Sequence, residues 1–312
     1  DPIVMLNLAA SCGSSDGVER IQNYLVRLSC QWAFIAQCGQ VTVAATDKTR
    51  SYPIFYSQRE SQFSISNSAR RLSSGRMNNE RSVFLEFQMS GYVMGKDTLS
   101  EGVYQIEAGG FVVNDVVSNR FLVNRYYRYI PSEKYLMTPK EGVEELAEIT
   151  ENIFSRLING ARGRPIVVPL SGGLDSRLVV CLLKSLGYDN IRTFSYGPPG
   201  NYEARIAGQV AQVIGVSWEF VPVTHKMYRD FFFSNDRTEY WTFSDGLCTI
   251  PNMQDILPLT LMRQRGLPED SIIVNGQSGD FISGGHLPKA LLRDESLDVL
   301  VQEIIKKHFS LS

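Results

Sequence analysis

The stretch from Arg164 to Gly200, RPIVVPLSGGLDSRLVVCLLKSLGYDNIRTFSYGPPG, limits what the chain can fold into more than any other. Ile166, Val167 and Val168 form a β-branched run without polar alternation, which suits a strand buried on both faces of a parallel sheet. Leu178, Val179, Leu182, Leu183 and Leu186 recur at steps of three and four. The spacing predicts a helix from Ser176 to Leu186 that stops at Gly187. Between strand and helix lies SGGLDS, so the segment reads as strand, glycine turn, helix, strand.

That turn has a chemical use. Gly172 and Gly173 are expected to allow backbone angles and close approach that a side chain forbids, and the helix start leaves amide donors unpaired at its positive end. Together these form a cradle for phosphate oxygens, to which Ser171 and Ser176 can add hydroxyl donors. Asp175 puts an acid where an anion should sit, a contradiction resolved if it holds a divalent cation such as magnesium. The lysine-bearing GxxxxGK[ST] pattern is absent, which disfavours an ordinary nucleotide-hydrolysing P-loop.

A second turn of the same kind lies in SIIVNGQSGDFISGGHLP, Ser271 to Pro288. The strand Ile272 to Val274 runs into Gly276, Gly279, Gly284 and Gly285 around Asp280. Two such turns at strand ends can face one nucleotide, and Asp175 with Asp280 can share its magnesium. Tyr202 to Ile214 repeats the helical period and Ser217 to Val223 reads as a further strand. The alternation implies an α/β fold with a doubly wound parallel sheet, its ligands lying beyond the carboxyl ends of the strands, near SGGLDS and Ser195 to Pro198.

SGGLDS resembles the PP-loop of the N-type ATP pyrophosphatases, and the second turn resembles the corresponding motif of the asparagine synthetase family. Members of that group cleave ATP between the α- and β-phosphates, adenylate a substrate and release pyrophosphate. The resemblance implies ATP and Mg²⁺ as cofactors, with Asp175 and Asp280 as metal ligands and catalytic groups. Leu170, Ser171, Gly172, Gly173, Asp175 and Ser176 would bind the nucleotide, joined by Tyr196, Asn275 and Gly276. Glu203, Asp245 and Gln277 would face the substrate, Gln277 being also a catalytic position. Gln277 replaces an acid of the family motif, Phe281 a second acid and His286 a tyrosine; those changes put the acceptor, more than ATP binding, in question. For Asp245 and Glu203 a helix-start role is the competing reading.

Residues 1 to about 130 carry short apolar runs broken by Gly, Asn, Asp and Ser, the rhythm of successive strands with one helix near Val18 to Leu28. WAFIAQ, QVTVAAT, YPIFYS and FSISNS follow one another from Trp32 to Ser68. These, and the later GYVMGKDTLSEGVYQIEAGGFVVN, resemble the layered glutaminase domain of the same family. A glutaminase of that type needs an N-terminal cysteine, and Asp1 stands there instead; Cys12 has no free amine to act as base. The expectation is a truncated glutaminase-like domain over 1–135 without glutaminase activity and a synthetase domain over 136–312, with an incomplete C-terminus as one option. Pro131 and Pro139 bracket the connection. An amphipathic helix follows, with Val143, Leu146, Ile149, Ile153 and Leu157 on one side.

The net charge of -2, without a basic run, argues against extended nucleic-acid binding. Cys12, Cys30, Cys38, Cys181 and Cys248 are odd in number with no CxxC, and they read as reduced thiols of a soluble cytoplasmic protein. His225, His286 and His308 are too scattered for a metal cluster. No apolar run is long enough to cross a bilayer. The expected partners are a small-molecule or peptide carboxylate and an amine donor, with a separate ammonia source as one option. A thiolating or tRNA-modifying PP-loop enzyme and a non-catalytic nucleotide-binding scaffold are the alternatives.

Overall fold

The computed structural model describes residues 7, 16–59, 62–130, 137–285, 287–293 and 296–310. The expectations placed on Asp1, Cys12, Pro131 and His286 lie outside the described residues. The chain divides into two compact units, one of Asp1–Ser132, Glu239–Pro251 and Leu300–Ser312, the other of Glu133–Thr238 and Asn252–Val299.

The first unit is layered. Helix α1 (Gly17–Leu25) is followed by β1 (Ala33–Cys38), β2 (Val41–Thr46), β3 (Phe55–Arg59), β4 (Gln62–Ser66), α2 (Ala69–Leu72), α3 (Arg81–Ser90), β5 (Tyr104–Gln105), β6 (Gly110–Asp115) and β7 (Arg120–Arg125). One antiparallel sheet has the order β1-β2-β6-β7 and a second the order β4-β3-β5. Alternation along β2 explains the stacking: Val43 and Ala45 pack with Ile21 and Leu25 of α1, whereas Ala44 packs with Ile54, Tyr56 and Ile106 from the second sheet. The far side of that sheet is closed by Phe55, Ala69, Val83 and Val103. Helix, sheet, sheet and helix thus form four layers.

The turn after β2 is built on Asp47, which is buried. Its carboxylate accepts from the amides of Trp32 (3.0 Å) and Thr49 (2.8 Å), from the amide of Ser51 (3.2 Å) and from the Thr49 hydroxyl (2.8 Å). Burial alone would raise its pKa, but these donors hold it below the ordinary aspartate value.

The second unit has the predicted doubly wound sheet. Helix α4 (Pro139–Ala161) opens on a capping box between Thr138 and Glu141 with Pro139 at its start. Then come β8 (Ile166–Pro169), α5 (Leu174–Ser185), β9 (Ile191–Gly197), α6 (Tyr202–Ile214), β10 (Ser217–Pro222), α7 (His225–Phe232), α8 (Asn235–Ser244), α9 (Ile256–Gln264), β11 (Ile272–Ile273), α10 (Ser278–Ile282) and α11 (Leu297–His308), of which α8 from Glu239 and α11 from Leu300 count with the first unit. The four strands are all parallel in the order β10-β9-β8-β11. Ile166 and Val168 of β8 face the core shared with α4, α5 and α6, while Val167 faces Leu257 and Met262 of α9. Both faces of the sheet are therefore covered, which is why β8 has no polar alternation.

In that order the chain reverses direction at β8: β9 and β10 step outward on one side and β11 lies on the other. This is the switch point at which such sheets open a crevice beyond their carboxyl ends. SGGLDS leaves β8 at that edge, and the second glycine turn leaves β11. Among the described residues no helix is long and apolar enough to cross a membrane. Cys30, Cys38, Cys181 and Cys248 are free thiols.

Candidate active site

A cavity of about 330 Å³ opens at the switch point, within the roughly 300–1,000 Å³ typical of small-molecule sites. Its walls come from both glycine turns and from β9. Leu170, Ser171, Asp175 and Ser176 line it from the first turn, and Asn275, Gly276, Gln277 and Asp280 from the second. Tyr196 and Glu203 line it as well. The predicted residues that lie in this unit thus converge, except that Gly172 and Gly173 form the loop without lining the cavity.

The first turn is internally braced. The Ser176 hydroxyl accepts from the Ser171 amide (3.1 Å) and shares a hydrogen bond with the Ser171 hydroxyl (3.1 Å), which in turn accepts from the Gly173 amide (3.1 Å). Arg177 donates to the Gly172 carbonyl from behind (2.7 Å). The serines therefore hold the loop's shape before they contact any ligand. The helix begins at Leu174, two residues earlier than its apolar spacing predicts, so Asp175 sits in its first turn. No side chain caps this helix start, which leaves its positive end to the cavity.

The expectation about the backbone angles of Gly172 and Gly173 needs correction. Gly173 has φ -79° and ψ 169°, ordinary extended backbone, and Gly172 is not among the glycines with positive φ. A Cβ on Gly172 would meet only ordinary contacts at 3.8 Å. Glycine is structurally required in the other turn. A Cβ on Gly276 would stand 2.7 Å from the Ser176 nitrogen, and one on Gly279 would stand 2.3 Å from Cγ of Asp175. The second turn lies directly against the first turn of α5 because those two residues have no side chains.

The helix-start reading of Asp245, a residue of the first unit, also requires correction. Asp245 follows α8, its amide bonded to the Trp241 carbonyl (2.9 Å). Its carboxylate pairs with Arg70 and accepts from the Leu247 amide (3.2 Å). Glu203 is not a cap either. The α6 cap is Asn201, whose side chain accepts from the Glu203 amide at 2.9 Å, leaving the Glu203 carboxylate to the cavity.

Three polar wall residues escaped the sequence reading: Asn201, Gln254 and Asp255. The Tyr196 hydroxyl donates to Oδ1 of Asp255 at 2.7 Å. Burial, then the Asp255 carboxylate, push the Tyr196 phenol far above its ordinary value of 10.0. In sequence Asp255 looks like an ordinary helix cap before ILPLTLM, and it does occupy the cap position of α9. Its side chain makes no cap bond there.

The charges of the wall decide what it accepts. Asp175, Glu203, Asp255 and Asp280 line the cavity, and among the described residues no lysine or arginine does. A polyphosphate in such surroundings needs a cation, and two carboxylates with phosphate oxygens are the donors magnesium prefers. Among the described residues no group of three or more His, Cys, Asp or Glu could hold a metal without a ligand's help.

Residues 161–291 match the asparagine synthase family. They form an asparagine synthase domain. Both glycine turns fall inside it, and the family is one of ATP-dependent, nucleotide-binding enzymes. No curated protein matches the chain. Among solved structures, an NH3-dependent NAD synthetase from Campylobacter jejuni, in complex with nitrate, is similar at 13% identity and TM-score 0.32 over 45% of this chain and 59% of its own. A glutamine-dependent NAD⁺ synthetase from Acinetobacter baumannii, in complex with ADP, is similar at 16% identity and TM-score 0.27 over 60% of this chain and 32% of its own. A glutamine PRPP amidotransferase from B. subtilis, complexed with ADP and GMP, is similar at 13% identity and TM-score 0.25, covering 72% of this chain. The chain spans 59%, 32% and 42% of the lengths of these three proteins.

Proposed function

We propose that the asparagine synthase domain is an ATP-dependent carbon–nitrogen ligase, which adenylates a carboxylate and then joins an amine to it. The observation that carries this reading is the convergence of the two turns, Ser171 to Ser176 and Asn275 to Asp280, on one cavity at the switch point of the sheet. The amide-rich start of α5 suits the phosphates. Asp175 and Asp280 would hold the magnesium, which neutralises polyphosphate charge when bound.

In the first step a carboxylate oxygen of the acceptor attacks the α-phosphorus and the bond to the β-phosphate oxygen breaks, releasing pyrophosphate. The amine then attacks the acyl carbon and AMP leaves. The chain's own contribution is to position both reactants and to present fixed amide dipoles where charge develops. The surplus negative wall, Glu203 and Asp255, attracts ammonium or a protonated amine, and Glu203 can take the proton that the attacking nitrogen must lose. Gln277 has no basic group and can only position a substrate.

The first unit is read as a glutaminase-like domain that does not hydrolyse glutamine, so the amine would be free ammonia, a partner's product or part of the substrate. Incubation with ATP, magnesium and mixed carboxylates and amines tests the ligase: pyrophosphate and AMP are expected. Inorganic phosphate and ADP in their place would refute the chemistry, and nucleotide binding without turnover of any kind would favour a scaffold. Because no lysine or arginine among the described residues lines the cavity, calorimetric ATP binding should weaken by about tenfold or more when EDTA removes magnesium. Unchanged affinity would contradict the metal's role.

A further inference from the structure

Arg177 stands in the second turn's approach of α5, half-buried, and it does not line the cavity. Its Nη2 donates to the Gly172 carbonyl at 2.7 Å, its Nε is buried without a hydrogen-bond partner, and among the described residues no carboxylate pairs with it. A buried donor left unmet costs stability, so the arrangement is a poor way to hold a fold. What it does hold is one carbonyl of the phosphate-binding loop.

The peptide between Gly172 and Gly173 is planar and trans, so its carbonyl and its N–H point in opposite directions. Fixing the carbonyl on Arg177, outside the wall, aims the N–H at the Ser171 hydroxyl (3.1 Å), which is part of the wall. Without that anchor the peptide can turn over. A flip takes φ of Gly173 from -79° to roughly +100°, a region that glycine enters freely and that an L-residue resists. The resting backbone needs no glycine here, so the pair matters only to a second state of this peptide. In that state a carbonyl oxygen faces the Ser171 side, the wrong end of the dipole for a phosphate.

We propose that Arg177 is a positioning residue for the nucleotide: without touching it, Arg177 locks the Gly172–Gly173 peptide in the orientation that turns the N–H toward the cavity wall. The inference rests on the reading that this cavity binds ATP with magnesium.

Calorimetry of the whole chain with ATP and magnesium, beside a melting curve without ligand, tests both. A wild type that binds no ATP overturns that reading and this inference with it, whereas a wild type that binds, with Arg177→Met binding equally well, overturns this inference alone. Arg177→Met keeps the apolar stem and removes the donors. It is expected to weaken ATP binding by about tenfold with Tm within about 2 °C of wild type. Gly173→Ala then separates a flipped peptide from the loss of a nearby charge. Alanine accepts the resting φ of -79° and resists the flipped one, and its Cβ would meet Ser171 Oγ at 3.3 Å, a contact that the hydroxyl must ease by a small shift. Gly173→Ala alone should therefore bind ATP within about threefold of wild type, and adding Arg177→Met to it should cost less than about threefold more. An equal loss from Arg177→Met in both loops would make Arg177 a charge acting through space and overturns the proposal. So does a Gly173→Ala protein that binds no ATP, or an Arg177→Met protein whose Tm falls along with its affinity.

Discussion

The two glycine turns of the second unit look alike in sequence and differ in what their glycines do. In SGGLDS the glycines occupy unstrained backbone, and a side chain at Gly172 would meet no protein atom closer than 3.8 Å. In NGQSGD the glycines are gaps into which another part of the chain fits, with Asp175 pressed against Gly276 and Gly279. Of the first pair Gly172 leaves room for a side chain, whereas a Cβ on Gly173 would stand 3.3 Å from Ser171 Oγ; the second pair brings two protein segments together. A glycine can thus serve a ligand or serve the fold, and only the second kind should register in the stability of the protein alone.

Asp175 belongs to both turns, so its replacement should have the largest effect. Asp175→Asn keeps the shape that sits against Gly279 and removes the charge. Pyrophosphate release should fall by about 10³-fold, the scale on which removal of a group that stabilises developing charge is felt. Thermal unfolding should stay close to wild type, because the residue lies at a helix start and not in a core. An active variant would break the comparison at its centre, since Asp175 would then only fill space.

Gly279→Ala should come next, and through a different route. Its Cβ would stand 2.3 Å from Cγ and Oδ1 of Asp175, so α10 or the start of α5 must shift. Overpacking of this kind costs about 1–3 kcal/mol, and the displaced carboxylate should cut turnover by about 10²-fold. A fall in both Tm and activity is the expected signature, and an unchanged Tm would show that the second turn is not held against the first.

How far the site was legible follows from which contacts are local. The strand Ile166–Pro169, the helix after it and the exit turn are encoded by neighbours in sequence, and SGGLDS marks them directly. The layered first unit was legible from its strand rhythm, because apolar runs broken by turn residues are a local pattern. Asp255 was not legible: its partner Tyr196 is far away in sequence, and before an apolar helix an aspartate reads as a cap. Nor does anything near Asp245 in sequence announce its pairing with Arg70. The apolar stripe of α4 was legible as amphipathic, but its sequence does not say where the sheet beneath it ends.

Tyr196 tests the cavity wall that neither turn supplies. Its hydroxyl stays protonated in the folded protein while an unfolded chain would ionise near pH 10.0. Stability from this group is therefore complete below that pH and is lost as the pH rises toward the raised folded value. Tyr196→Phe should flatten the alkaline side of the unfolding curve and, by leaving Asp255 without its donor, cost about 1 kcal/mol at neutral pH. Burial likewise raises Tyr56 to about 12, so some alkaline slope should remain in the variant. A slope identical to wild type would mean that the Tyr196–Asp255 bond contributes nothing.

The smallest effect on the fold should come from Gly172→Ala, and it sharpens the comparison most. With the nearest protein atoms 3.8 Å from the added methyl, an ordinary contact, and no positive φ to strain, the variant should unfold within about 0.5 kcal/mol of wild type. ATP has to approach the same backbone closely if the loop cradles phosphate, so nucleotide affinity should fall while Tm does not. Calorimetry with magnesium and ATP, beside a melting curve without ligand, separates the two. A variant that loses Tm as Gly279→Ala does would place Gly172 with the glycines that serve the fold. If it loses neither Tm nor affinity, the phosphates must lie elsewhere along the wall, toward Asn275 and Asp280.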